Sequence, residues 1–102
     1  MAVTTGTRSA ILPDVPTVGD FVPAYEADGF TGLGAPRGTP AEIVDQLNSQ
    51  INTGFADAKV QGRLADLGAT VLASSPADFG KRITADTERW GKVVKFAGIK
   101  PN

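Results

Sequence analysis

Glycine-rich and acidic segments are the first places in this sequence where residue types and spacing could support chemistry. Residues 29–34 read GFTGLG, and closely spaced glycines can let a backbone surround a phosphate. No Lys-Ser or Lys-Thr pair follows, and the spacing matches neither a P-loop nor the dinucleotide fingerprint, so we interpret the segment as a strand or hinge. Carboxylates near it could act as a general acid and base, although solvated loop charges are the more ordinary interpretation. These carboxylates are Asp14, Asp20, Glu26 and Asp28.

Two basic sites could also bind a ligand. Arg37 lies just before a predicted helix, where arginine and the helix N-terminus both present donors to a carboxylate; an exposed turn residue is the alternative. Trp90 has cations on both sides, as in a stacking platform for single-stranded nucleic acid. A single aromatic on a helix is more often part of the core, and we predict that position for Trp90. The neighbouring cations are Arg89, Lys92 and Lys95.

Composition excludes several classes of function. The 102 residues include no Cys and no His, which removes thiolate and imidazole groups, disulfides and the usual zinc and iron–sulfur ligands. We therefore predict no catalytic role, no metal and no cofactor. A net charge of −1 is too small to favour nucleic acid. No segment has the roughly 18 apolar residues of a membrane span, and the start lacks the basic and apolar regions of a signal peptide.

Capping signals predict three main helices in the second half of the chain. Each begins with a side chain that can accept a hydrogen bond from the first free amides, and the last two end at a glycine suited to left-handed backbone. Apolar residues recur every three or four positions in all three, which indicates one buried face per helix. The signals are Thr39 with Glu42 for a helix to about residue 56, Asp57 with Gly68, and Ser75 with Gly98.

Three short segments have the composition and alternation of strands. They are residues 1–5, 29–35 and 69–73. Prolines between the first two exclude a regular helix there, because each removes an amide donor. About three short strands with three main helices predict an α/β fold, with too few strands for a complete doubly wound sheet. Since the sequence opens directly on a strand-like run, we expect a fragment of a larger protein.

Two motifs are more specific than these patterns. Residues 12–18 read LPDVPTV, and residues 32–44 read GLGAPRGTPAEIV. They resemble the C-terminal third of the Bug family, the TctC-like periplasmic receptors of tripartite tricarboxylate transporters. The end of the chain is similar as well, in Leu67-Gly68-Ala69, Ser75-Pro76 and Arg89-Trp90. The similarity covers nearly the whole chain.

The resemblance implies a two-lobed bacterial solute-binding protein of the type II periplasmic-binding-protein fold, which closes on a small carboxylate. It implies a single module here, with residues 1–24 as a remnant of the second lobe, 25–35 as a crossover strand and 36–102 as the helical part of the first lobe. Ligands of α/β folds bind at the carboxyl ends of strands. The ligand-binding candidates are therefore Thr5, Phe30 and Thr31.

We thus expect part of a periplasmic receptor that binds small carboxylates through backbone amides, helix ends and water, with membrane transporter subunits as its partners. The alternative is a stand-alone, non-catalytic interaction module. Uncovered sheet edges favour pairing with a second copy, so the alternative predicts a homo-oligomer.

Overall fold

The computed structural model describes residues 1–100 and shows three α-helices. The helices are α1, Ala41–Phe55; α2, Ala58–Asp66; and α3, Pro76–Phe96. A short 3₁₀ turn, Val18–Asp20, precedes them. The helices therefore confirm the three that the capping signals predict.

The chain forms two compact units that interleave along the sequence. The first unit contains residues 1–37 and 57–71, so it holds α2 and the proline-rich loop, residues 13–23, which contains Pro13, Pro16 and Pro23. The second contains residues 38–56 and the chain from residue 72 onward, so it holds α1 and α3. Each unit has one helix whose start and end follow directly from local sequence.

In the first unit, α2 begins and ends at the predicted signals. The Asp57 carboxylate Oδ1 accepts hydrogen bonds from the amides of Lys59 at 2.8 Å and Val60 at 3.3 Å. At the other end Gly68 has a φ of +75°. Its amide donates to the Ala65 carbonyl, and the next amide donates to the carbonyl of residue 64. This is the Schellman arrangement, which satisfies carbonyls that the helix itself leaves open.

In the second unit, α3 also ends in a Schellman motif. Gly98 has a φ of +65°, and its amide donates to the Lys95 carbonyl while the Ile99 amide donates to the Val94 carbonyl. At the start of α3, the Ser75 hydroxyl oxygen accepts from the Asp78 amide at 3.1 Å. Both predicted boundaries of this helix are therefore correct.

The start of α1 differs from the prediction by one residue. Pro40, predicted as the first helical residue, instead occupies the N-cap with a ψ of 141°, and no side chain caps the helix. The amides of Ile43 and Val44 donate to the Pro40 carbonyl. Because the N-cap position falls on a proline, the capping box expected from Thr39 and Glu42 does not form.

Within the second unit, α1 packs against α3. Two asparagine amides on α1 also hold the segment that leads into α3: Nδ2 of Asn48 and of Asn52 donate to the Ser74 carbonyl at 2.8 and 3.2 Å. The same Asn52 amide lies 3.2 Å from Asn48 Oδ1. Since these bonds join residues more than 20 positions apart, they stabilise the N-cap of α3 in its place beside α1.

Replacing Ser75 by Ala is expected to destabilise the chain by about 1 kcal/mol, because the Asp78 amide loses the N-cap hydroxyl oxygen that accepts its hydrogen bond. The midpoint of thermal unfolding, followed by circular dichroism at 222 nm, should fall by roughly 4 to 8 °C. Ser49→Ala is the matched control, since Ser49 lies in the middle of α1 and caps nothing. An equal fall in both variants would contradict the capping role.

The three predicted strands are not present among residues 1–100. One isolated parallel bridge joins Val3 to Thr17, through the Val3 amide to the Pro16 carbonyl at 2.9 Å and the Val18 amide to the Val3 carbonyl at 2.8 Å. Residues 29–35 and 69–73 have no ladder in the described chain. The prediction of about three strands is therefore wrong here, because strand-like composition forms a sheet only where a neighbouring strand supplies the hydrogen bonds.

Burial is much lower than the apolar stripes predict. In the described part of the chain no hydrophobic side chain is buried, and Thr17, at 4% exposed, is the only buried residue. Trp90 is 41% exposed, so its predicted place in the core is wrong. The Arg89 guanidinium instead lies 5.3 Å from the centre of the indole and pairs with Asp86 at 3.1 Å. A cation over an aromatic face is favourable without burial.

Candidate functional site

The proline-rich loop is anchored on Thr17. Its hydroxyl accepts from the Asp20 amide at 3.1 Å, and Asp20 Oδ2 accepts from the Thr17 amide at 3.1 Å. This reciprocal pair is a capping box around the 3₁₀ turn. Arg8 reaches the same carboxylate at 3.5 Å. These bonds therefore hold the base of the loop.

Asp14 also lies in a turn. The Val15 amide donates to the Leu12 carbonyl at 3.1 Å, and Pro13 has the backbone angle that such turns favour at their second position. Asp14 itself is exposed. Asp14 therefore occupies the third position of this turn.

Thr5, the first predicted ligand-binding residue, forms a tight turn of its own. Its hydroxyl donates to the Thr7 carbonyl at 2.7 Å. Just before it, the Thr4 carbonyl accepts from the Ala27 amide at 2.9 Å. The Thr5 turn, residues 5–7, is thus held beside the extended segment that continues toward residue 30.

Glu26 lies directly against this turn. A Cβ added to Gly6 would be 3.0 Å from Cδ of Glu26 and 3.1 Å from each carboxylate oxygen. A side chain at residue 6 would require the Glu26 carboxylate to shift by a few tenths of an ångström. The contact joins positions 20 apart, and nothing local in the sequence signals it. Glu26 is exposed, which agrees with its interpretation as a solvated loop charge.

Phe30 and Thr31 follow on the same segment. Phe30 is half-buried and Thr31 is exposed. Phe30 is three positions after Ala27, which is at most about 11 Å of extended chain. The structure therefore brings Glu26 and Ala27 to the Thr5 turn, and Phe30 and Thr31 follow three and four positions later on the same segment.

The remaining candidates do not form a site. A cavity of about 50 Å³ lies between residues 9–11 and residues 65 and 68–70, which is room for water and too little for a di- or tricarboxylate. Arg37 is exposed, with Gly38 in left-handed backbone after it, as a turn residue would be. Across residues 1–100, no three His, Cys, Asp or Glu side chains group as a metal site requires, and no helix has the length and hydropathy to cross a membrane.

Comparison with known proteins gives a consistent set of relatives. A UPF0065 protein of Bordetella bronchiseptica is 34% identical over 101 residues, 99% of this chain and 30% of that protein. A UPF0065 protein of Agrobacterium vitis is 38% identical over 101 residues, 95% of this chain and 29% of that protein. Protein BugT of Bordetella pertussis is 31% identical over 101 residues, 98% of this chain and 31% of that protein. The chain thus spans about 30% of the length of these relatives.

The family described as "Tripartite tricarboxylate transporter family receptor", TctC, matches residues 1–99. That description is of a transport receptor and not of an enzyme. It agrees with the motifs at residues 12–18 and 32–44, both of which lie within the matched range. With nearly every residue covered, the chain belongs to the TctC family of tripartite tricarboxylate transporter receptors.

Proposed function

We propose that the chain forms part of a periplasmic receptor that binds a small carboxylate and delivers it to membrane subunits of a tripartite tricarboxylate transporter. The match of residues 1–99 to the TctC receptor family carries this proposal. In it, residues 1–24 belong to the second lobe of a two-lobed receptor, residues 25–35 cross between lobes and residues 36–102 belong to the first. The alternative of a self-associating interaction module has no support from the family match, which is to a transport receptor.

The ligand site of this proposal contains Thr5, Phe30 and Thr31. The hydrogen bond between Thr4 and Ala27 supports it, because it holds the Thr5 turn against the segment that carries Phe30. In this proposal the carboxylate binds to backbone amides, helix ends, the Thr31 hydroxyl and water rather than to a positively charged pocket.

Thermal unfolding with and without carboxylates tests this function. A ligand at ten times its Kd should stabilise the chain by about 1.4 kcal/mol and raise the unfolding midpoint by several degrees. Succinate, citrate and aspartate are compared at millimolar concentration, with sodium chloride at equal ionic strength as the blank. A midpoint that none of the three raises would refute carboxylate binding by this chain.

The Thr31 hydroxyl can be tested in the same assay. Thr31→Val should reduce the shift caused by the ligand, because a donor to the carboxylate is lost, while the midpoint without ligand stays within about 1 °C since Thr31 is exposed. Thr84→Val is the control, because Thr84 is exposed on α3 and its hydroxyl donates only along the helix, to the Gly80 carbonyl. Equal shifts in both variants would remove Thr31 from the site.

A further inference from the structure

Positive charge is concentrated at one end of α3, although the chain as a whole is nearly neutral. Residues 89–100, the basic end of α3, contain no acid and four cations, Arg89, Lys92, Lys95 and Lys100. The rest of the chain holds six of the ten cations and all eleven acids, a net charge of −5. Neither Lys92 nor Lys95 forms an ion pair within residues 1–100, and both are exposed. Their charge is therefore available to an anionic partner.

Two bulky apolar side chains lie among these cations without cover. Phe96 is 96% exposed and Ile99 is 62% exposed. Phe96 follows Lys92 by four positions, so both lie on one side of the helix. The Ile99 amide donates to the Val94 carbonyl at 3.2 Å, which holds Ile99 against the last turn of α3. Cations near a helix C-terminus interact favourably with the macrodipole, but the dipole does not account for an exposed phenylalanine beside them.

Charge and composition together favour an anionic lipid surface as the partner. Anionic headgroups attract basic side chains, while aromatic and aliphatic side chains enter the boundary between headgroups and acyl chains, and lysine stems extend along it. Interfaces between proteins are depleted in lysine, whereas three of the four cations in residues 89–100 are lysines. The negative charge elsewhere in the chain is screened beyond about 10 Å at 0.1 M salt, so it does not cancel a local attraction.

We propose that the basic end of α3 docks on the surface of an anionic membrane, with Phe96 and Ile99 inserted among the headgroups and the lysines around them bound to lipid phosphates. This inference goes beyond the proposed function, and it involves none of the candidate ligand-binding residues. Vesicle binding and carboxylate binding are separate measurements, so the failure of one leaves the other standing.

Co-sedimentation of the full chain with lipid vesicles tests this docking. At about 0.1 M sodium chloride the chain should bind vesicles of phosphatidylglycerol and phosphatidylcholine in equal parts at least about tenfold more tightly than vesicles of phosphatidylcholine alone. In Lys92→Gln/Lys95→Gln, binding to the anionic vesicles should fall about tenfold or more. Lys59→Gln/Lys81→Gln is the control, because it removes the same charge from exposed positions outside residues 89–100; its affinity should stay within about threefold of the wild type.

Phe96→Ser distinguishes a lipid surface from an acidic protein as the partner. It should weaken binding to the anionic vesicles about tenfold, because the apolar burial of the phenyl group is lost, while the circular dichroism spectrum stays unchanged since Phe96 is exposed. If Phe96→Ser bound as the wild type does and only the double lysine variant lost binding, charge alone would be responsible, as for an acidic protein, and docking on lipid would be overturned. Equal losses in both double lysine variants, or no preference of the wild-type chain for anionic vesicles, would also overturn it.

Discussion

Replacing Gly68 by Ala is expected to destabilise the chain by about 1 to 2 kcal/mol, because an L-residue with a side chain is strained in left-handed backbone. Gly68 has a φ of +75° at the end of α2. The added Cβ would lie 3.6 Å from Cδ1 of Ile11, an ordinary contact, so the loss comes from the backbone and not from a clash. Urea unfolding followed at 222 nm measures it as a lower midpoint with an unchanged slope.

Gly62→Ala is the control for this prediction, and it should have the opposite sign. Gly62 lies inside α2, and nothing lies within 4 Å of a Cβ added there. Alanine at this position should stabilise the chain by roughly 0.5 to 1 kcal/mol, since it restricts the unfolded backbone and favours the helix. If Gly68→Ala and Gly62→Ala both stabilised the chain, the left-handed backbone of Gly68 at the end of α2 would be contradicted.

Replacing Thr17 by Val should destabilise the chain by about 1 to 2 kcal/mol, because the change keeps the volume of the side chain and removes the oxygen that caps the 3₁₀ turn. Thr17 is 4% exposed, so water replaces that oxygen poorly as a partner of the Asp20 amide. The loss should also loosen the bridge between Val3 and Thr17. Faster hydrogen exchange of the Val3 and Val18 amides would report this directly.

The same substitution at Thr53 is the control, because it shows what the loss of a threonine hydroxyl costs at a position where the hydroxyl caps nothing. Thr53 is exposed on α1, and its hydroxyl donates to the Ser49 carbonyl within the helix. Thr53→Val should therefore change the free energy of unfolding by less than about 0.5 kcal/mol. If Thr17→Val were equally mild, Thr17 would not be the anchor of the proline-rich loop.

Helices were predictable because their boundaries depend on residues only a few positions apart. Asp57 and Ser75 accept hydrogen bonds from amides two or three residues ahead, and Gly68 and Gly98 take the left-handed backbone that few other residues tolerate. The one boundary that moved, at Pro40, is also local, since the proline is the N-cap instead of the first helical residue.

The candidate site was predictable only in part. Thr5, Phe30 and Thr31 came from the rule that ligands lie at the carboxyl ends of strands, and these strands are not formed in the described chain. Their neighbour Glu26 could not be found this way, because its contact with Gly6 depends on how two loop segments meet. Sequence alone showed a carboxylate in a loop, without the turn that it faces.

The sequence by itself determined the three helices, their capped ends, the absence of thiol and imidazole chemistry, and the family that the motifs at residues 12–18 and 32–44 indicate. Only the tertiary structure decided that residues 1–5 form a single bridge instead of a strand, that Trp90 is exposed beneath Arg89 and that Glu26 lies at the Thr5 turn. The physical reason is the sequence separation of the interacting residues. Helix caps form between residues within one helical turn, whereas sheets, burial and a ligand site depend on contacts between residues distant in sequence.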